Sequence, residues 1–286
     1  MPLTLTAREK FPTRVDASPL LPELWQDRSP LEFERSPILL GNRIVSVGDL
    51  FQVSGSLGDG TLRIAGELAR LDRVGRALSG GRLEVHGSPA HECGAEMSGG
   101  TLAIRGDVGH YLGAQQRGGT ITVTGSAWDN VGGCYPGSLR GQRGGTILIA
   151  GNAGHATGQY QRRGLIVVAG DVGDDAAHAQ RAGTLVIGGN VGERCAYDQR
   201  RGTVVVLAEL NKAWSDAGRF TPGYCGRPVV LELLARTIQR EAAAAEFSFP
   251  IDFLQKLAQP RFQLWHGDVL ELNRGEVWLG SSNVCS

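Results

Sequence analysis

The chain has 286 residues, with 29 lysines and arginines against 29 aspartates and glutamates, so its formal net charge is zero. That balance excludes a protein that binds nucleic acid or a membrane surface through its overall charge, and leaves only local stripes to consider. The 42 glycines, about twice the usual share, call for a fold with many tight corners.

The N-terminal run MPLTLTAREKFPTRVD has no apolar core of signal length, and no later run approaches membrane-spanning length, so a cytoplasmic protein is expected. Residues 1–43 read as a Pro-punctuated, irregular N-terminal arm laid over the body or over a partner. Within it, Ser29-Pro30 ahead of Leu31-Glu32-Phe33-Glu34 predicts a short helix, with Ser as cap and Pro in the first turn. A strand pattern opens at Ile44 with Val45 and Val47, then Phe51 and Val53. The stretch Gly60-Thr61-Leu62-Arg63-Ile64-Ala65-Gly66 is a looser first version of a unit that recurs further along the chain.

From Gly80 to Leu207 that unit, GGTLxIxGDVGxxxGxxQR, repeats. Its opening glycines stand at 81, 100, 119, 145, 164, 183 and 202, spaced by 19 residues except for one interval of 26. Counting each opening glycine as zero, position 2 is Leu83, Leu102, Ile121, Ile147, Ile166, Leu185 and Val204. Position 4 is Val85, Ile104, Val123, Ile149, Val168, Ile187 and Val206. Apolar residues two apart describe a short strand with one buried face. Position 6 is glycine in all six complete units, from Gly87 to Gly189, and ends the strand where a side chain would obstruct a bend. Further small residues at positions 9 and 13 leave no room for a helix. The unit fits one turn of a parallel, right-handed β-helix, a solenoid of 19-residue coils stacked at about 4.8 Å. The fold class expected is therefore all-β, with the solenoid over 44–207.

The extra seven residues fall around Cys134-Tyr135-Pro136-Gly137-Ser138-Leu139-Arg140, at one corner, where they project as a loop that serves either as a docking feature through Tyr135 and Leu139 or as a tolerated insertion. After Leu207 the glycines thin out. Residues 228–246 predict an amphipathic helix with Val229, Leu233, Leu234 and Ile238 available for burial. Phe262, Leu264 and Trp265, then Val277 and Leu279, predict a terminal strand pair. Residues 208–286 are thus expected to form a C-terminal cap with an α-helix and short strands.

Repetition sets like side chains in columns. Position 10 holds His91, His110, Asp129, His155, Asp174 and Glu193: a polar stripe beside a turn, or, if three or four converged, a metal or catalytic cluster. Position 16 holds Gln116, Gln142, Gln161, Gln180 and Gln199, which can hydrogen-bond from unit to unit. Next to them stand Arg117, Arg143, Arg162, Arg181 and Arg200. Stacked guanidinium groups about 5 Å apart repel by roughly 1 kcal/mol per neighbour in water, and by more where the dielectric is lower. Carboxylates must answer them: internal ones such as Asp107, Asp171 and the position 10 acids, those of a partner subunit, or an anionic ligand. Cys93 and Cys195 share inward position 12 and read as buried thiols; Cys134, Cys225 and Cys285 complete the five cysteines, none in a CxxC pair. Gly-Asp-Val-Gly-x-x-x-Gly has the look of a phosphate loop, but another strand comes after it each time instead of the required helix. No P-loop, GxSxG or HExxH motif is present.

The tandem units GGTLAIRGDVGHYLG, GGTILIAGNAGHATG and GTLVIGGNVG resemble the glycine-repeat β-helix of the C-type subunit of formylmethanofuran dehydrogenase, to which a domain of glutamate synthase is related. The leader Val47-Gly48-Asp49-Leu50-Phe51 and the tail His266-Gly267-Asp268 with Gly275-Glu276-Val277 look most like the bacterial branch. There, the C-type subunit belongs to a formyltransferase/hydrolase complex of methylotrophs. This chain departs from relatives by carrying Gln-Arg where Met often precedes the glycines, keeping only Met97. The resemblance implies a non-catalytic scaffold subunit in an assembly that moves a formyl group from tetrahydromethanopterin to a methanofuran-type carrier and hydrolyses it to formate. It implies no cofactor and no metal in this chain. The metal centre and carrier are expected on an amidohydrolase-like subunit, a formyltransferase subunit and a dehydrogenase-B-like subunit, with no nucleic acid or membrane partner. Two other readings remain: the C-type subunit of a tungsten- or molybdenum-dependent formylmethanofuran dehydrogenase, and a free-standing β-helix polysaccharide lyase or hydrolase using the position 10 column.

Overall fold

A computed structural model describes residues 2–25, 29–56, 58, 60–208, 214, 217–257 and 261–280. Its strands in chain order are β1 (Leu3–Ala7), β2 (Val15–Asp16), β3 (Pro37–Leu40), β4 (Arg43–Ser46), β5 (Phe51–Ser54), β6 (Thr61–Ala65), β7 (Leu71–Asp72), β8 (Arg82–His86) and β9 (Thr101–Arg105). Then come β10 (Thr120–Val123), β11 (Arg143–Ile149), β12 (Arg163–Val168), β13 (Thr184–Ile187), β14 (Gly202–Val206), β15 (Phe220–Gly226), β16 (Phe262–Gly267) and β17 (Gly275–Gly280). Helices are few: α1 (Pro30–Glu34), α2 (Val47–Leu50), α3 (Val229–Ala244) and α4 (Ile251–Leu257). The chain is mostly β.

The repeat sets the register. Strands β6, β8, β9, β10, β11, β12, β13 and β14 pair in parallel, in sequence order, with like positions opposite one another. Leu62, Leu83, Leu102, Ile121, Ile147, Ile166, Leu185 and Val204 therefore form one column and Ile64 to Val206 a second, both buried. Burying each such side chain contributes about 1.5–3 kcal/mol, and only stacking keeps water off the column, so no single unit holds its fold alone. Position 8 gives a second parallel ladder of single bridges, Val108 to Ala127, Ala153, Val172 and Val191. A third line of unit-to-unit hydrogen bonds runs through position 13, where Gly113 N donates to Cys93 O, Gly132 N to Leu112 O and Gly158 N to Val131 O, each at 2.8 Å.

Both ends of the ladder are completed by segments from the chain's own termini. Strand β1 lies parallel to β6, opposing Leu3 to Leu62 and Leu5 to Ile64, and β5 pairs antiparallel on its far side. The N-terminal stretch thus carries a strand of the sheet, not only an irregular arm. Ile44 starts no repeat: β4 pairs antiparallel with β3 in a separate four-stranded sheet, and Ile44 is exposed. The helix at Ser29 forms where the Ser-Pro pair places it, with Ser29 and Glu32 closing a reciprocal cap. At the other end β17 adds in parallel to β14, opposing Val277 to Val204 and Leu279 to Val206. Strand β16 returns antiparallel to it, so the terminal strand pair is present.

Within 208–286 the strands β17 and β16 close the end of the ladder, while α3 and α4 lie along the sheet's outer face, over Leu148, Leu165, Val167, Val186 and Val205. The contact is made by Leu231, Ile238 and Ala242 of α3 and by Phe253 and Leu257 of α4, with Phe247 and Phe249 between them. Val229 and Leu233, expected to be buried, are exposed, because the outward position 3 column supplies a flat apolar strip that meets the helix one step out of the assumed phase.

Candidate interaction surface

The position 10 column is built into the backbone. His110 N donates to His91 Nδ1 at 3.0 Å, Asp129 N to His110 Nδ1 at 3.2 Å, and His155 N to Asp129 Oδ1 at 2.9 Å. Asp174 N then donates to His155 Nδ1 at 3.0 Å and Glu193 N to Asp174 Oδ1 at 2.8 Å. Each side chain satisfies the N–H of its equivalent one unit on, a group the turn leaves without a strand partner. The glycine before it makes the room: a Cβ on Gly109 would stand 2.4 Å from His91 Nδ1, and one on Gly154 2.2 Å from Asp129 Oδ1. With Nδ1 of each histidine accepting a backbone N–H, and Nε2 of His91 facing Arg14 at 3.1 Å, the column's nitrogens are engaged by neighbours. The donor set does not fit a metal ion, and among the described residues no three His, Cys, Asp or Glu side chains converge on one. Burial and the nearby Arg14 hold His91 below the ordinary imidazole pKa.

A second acceptor column, not singled out in the sequence, runs at position 7. Asp107 Oδ1 accepts from Ser126 N at 2.7 Å, Ser126 Oγ from Asn152 N at 3.1 Å, and Asp171 Oδ1 from Asn190 N at 2.6 Å. The signal was there to find: glycine followed by Ser, Asp or Asn in every unit. Asp107, Asp171, Asp129 and Asp174 each accept a backbone N–H, Glu193 pairs with Arg194 at 3.5 Å, and none of them forms an ion pair with the arginine column.

The glutamines form the ladder their spacing suggested. Nε2 of Gln142, Gln161, Gln180 and Gln199 donates to Oε1 of the glutamine one unit earlier, at 2.7–3.0 Å, with all five side chains fully buried. That fixed row holds the neighbouring arginines in line at the corner before each strand. Arg200 pairs with Glu271 at 2.7 Å, and Arg162 reaches only the Leu139 carbonyl, at 3.3 Å. Arg117, Arg143 and Arg181 have no side-chain partner among the described residues. Nε of Arg143 and of Arg181 is buried with no acceptor. Burial, together with the charges of Arg117, Arg140 and Arg162, pushes the Arg143 guanidinium below its ordinary pKa.

The inserted loop splits in two. Tyr135 folds back, donating to Glu92 Oε2 at 3.0 Å and lying against Tyr111, with burial and Glu92 raising its pKa. Leu139 points outward at 53% exposure, beside Arg162. Cys93, Cys134 and Cys195 are buried free thiols, Cys195 pushed up to about 12 by burial, while Cys285 lies outside the described residues. A cavity of about 220 Å³ between α3 and β16 is bridged by the Arg227–Glu232 ion pair at 2.7 Å and gathers no nucleophile and base.

The fold and its surface define a stacked-repeat protein that turns ordered side-chain columns outward. No family model matches the chain. It is 39% identical over 84 residues to the C-type subunit of the formyltransferase/hydrolase complex Fhc of Methylorubrum extorquens, and 30% identical over 90 residues to the C-type subunit of tungsten-containing formylmethanofuran dehydrogenase 2 of Methanothermobacter marburgensis. Those matches take in 29% and 30% of this chain, and the chain spans about a third of the length of these curated relatives, 31% and 33%. Against the crystal structure of the formyltransferase/hydrolase complex of Methylorubrum extorquens with methylofuran, the likeness runs over 97% of this chain and 99% of that one, at 32% identity and a TM-score of 0.83. The chain belongs to the family of C-type subunits of formyltransferase/hydrolase complexes and formylmethanofuran dehydrogenases.

Proposed function

We propose that this chain is the scaffold subunit of a formyltransferase/hydrolase complex, which transfers a formyl group from formyl-tetrahydromethanopterin to a methanofuran-type carrier and releases formate. The full-length likeness to a chain of such a complex, end strands included, is the observation that carries this reading. In it the repeats wind as a right-handed parallel β-helix from Thr61 to Val206, inside the expected 44–207 span, flanked by 1–43 and 208–286. The metal centre and the carrier reside on an amidohydrolase-like and a formyltransferase subunit, and a dehydrogenase-B-like subunit makes up the fourth member of the assembly. All of these are cytoplasmic partners. This chain acts by contact: its position 7, 10 and 16 side chains are committed to holding the ladder, which leaves the arginine column and Leu139 to meet neighbours.

Co-expression with the three partner subunits tests the proposal. A four-membered assembly that loses partners, and with them formate release, when this chain is left out supports it. A fully active, stable enzyme of the three partners alone sinks it. The matches to formylmethanofuran dehydrogenase favour a second reading, the C-type subunit of the tungsten or molybdenum enzyme. A co-purifying partner with bound molybdopterin and iron–sulfur clusters selects that one.

A further inference from the structure

We infer that the column of Arg117, Arg143, Arg162 and Arg181 is a docking strip for an Asp- and Glu-rich segment of a partner protein. This rests on the scaffold reading above and names the chemistry of one of its contacts. The first observation is a contrast within the chain. Arginines of the opening units are answered internally: Arg63 by Glu84 at 2.8 Å, Arg73 by Asp16 at 2.8 Å and Arg76 by Glu96 at 3.1 Å. Among the described residues the later column forms no ion pair except at its end, where Arg200 meets Glu271; Glu96 acts on Arg143 only at longer range, too weakly to offset burial and the neighbouring arginines.

The second observation is that the column carries donors already withdrawn from water. Nε of Arg143 and of Arg181 is buried without an acceptor, although buried donors in folded proteins are almost always paired. Arginines carried on successive units of a ladder with a repeat of about 4.8 Å suit a run of carboxylates, since each guanidinium can grip a carboxylate through two oxygens. The third observation is the exposed Leu139, held beside Arg162 by the bond to its carbonyl. An apolar anchor next to arginine is the make-up of a protein interface and offers nothing to a phosphate backbone. The zero net charge likewise supplies no long-range pull on nucleic acid.

The test uses the full chain with its co-purifying subunits. Arg143→Gln, Arg162→Gln and Arg181→Gln are combined, and both the free chain's Tm and the affinity for the partner subunits are measured at two salt concentrations. Removing like charges is expected to leave Tm unchanged or raised, which certifies the fold. Affinity is expected to fall at least a hundredfold at low salt, and its salt dependence to flatten. A photo-crosslinking residue at position 162 is expected to capture a partner peptide rich in Asp and Glu. Affinity within threefold of wild type, a captured peptide without acidic residues, or single-stranded RNA competing the partner away from the wild-type strip overturns the inference while leaving the scaffold reading intact. A wild-type chain that joins no complex removes both.

Discussion

The buried glutamine row gives a quantitative test of how the units are tied together. In Gln161→Leu, Gln142 Oε1 loses its donor at 2.8 Å and Gln180 Nε2 loses the acceptor it holds at 2.7 Å, both in a fully buried setting. Losing each of these buried bonds costs about 1–3 kcal/mol, Gln180 Nε2 keeping only its 3.3 Å bond to the Gly183 carbonyl, so the two together cost about 4, and the leucine returns about 2 by burial. The net loss is about 2 kcal/mol. For a chain of this size that lowers Tm by about 4–8 °C. Gln199 sits at the end of the row, and its Oε1 is buried without a partner. In Gln199→Leu, Gln180 Oε1 loses its donor, but an orphan oxygen disappears with it, so these two changes nearly offset and the about 2 kcal/mol returned by the leucine raises Tm by about 4–8 °C. Scanning calorimetry on the two variants decides the matter. If Gln199→Leu costs as much as Gln161→Leu, the row is packing and not a hydrogen-bonded chain.

Glycines divide by what stands over them. Gly118→Ala puts a Cβ 2.3 Å from the Ser98 carbonyl oxygen and is expected to lose more than about 3 kcal/mol, whereas Gly80, with open space around it, accepts alanine within about 0.5 kcal/mol; urea unfolding compares them. His91 is held below its ordinary pKa, so the folded state binds protons less readily than the unfolded chain. Its contribution to stability is present above about pH 6.5 and is lost as pH falls through the lower folded value, and Tm profiles from pH 8 to 5 should show that His91→Asn removes part of this acid-side loss. Cys93 and Cys195, both buried and with pKa values raised by burial, should resist a maleimide in the native protein and react at the rate of global unfolding, followed by mass spectrometry against denaturant.

What could be read from the sequence was whatever recurs. The apolar columns, the glutamine row and the corner glycines each repeat at 19 residues, and stacking turns a repeat into a contact. Three things escaped: two occur once in the chain, and the third recurs in backbone shape with no recurring residue type to mark it. Leu3–Ala7 joins the ladder through pairing with Thr61–Ala65, far away in sequence, and its alternating Leu3 and Leu5 look like any short strand. The helix α3 has apolar residues on more than one side, and only the strip of Val167, Val186 and Val205 selects Leu231, Ile238 and Ala242 for burial. The turn at position 11 adopts positive φ in non-glycine residues, at Glu92, Tyr111, Asn130, Ala156, Asp175 and Arg194. That conformation costs about 1–2 kcal/mol for a residue with a Cβ, and glycine is its usual sign. Here it is held by pairing: Glu92 N donates to His110 O and Tyr111 N to Asp129 O, at 2.8 and 2.9 Å.

The single insertion marks a change in the body's outer face. Position 3 reads Glu84, Ala103 and Thr122 before residues 134–140, and Leu148, Val167, Val186 and Val205 after them. In the opening units that face is closed by ion pairs, Glu84 lying between Arg63 and Arg82. In the later units it is closed by α3 and α4. Two different coverings of one continuous sheet leave the corner beside the glutamine row as the uncovered edge of the later half, and there the arginines and Leu139 stand. A rigid ladder has little freedom to hide such charges by local rearrangement, since moving one guanidinium's backbone means moving a glutamine bonded to both neighbours. Within the chain that repulsion is answered only by solvent screening, by Glu96 acting on Arg143 and by the Arg200–Glu271 pair, and this is the physical ground on which the docking proposal stands.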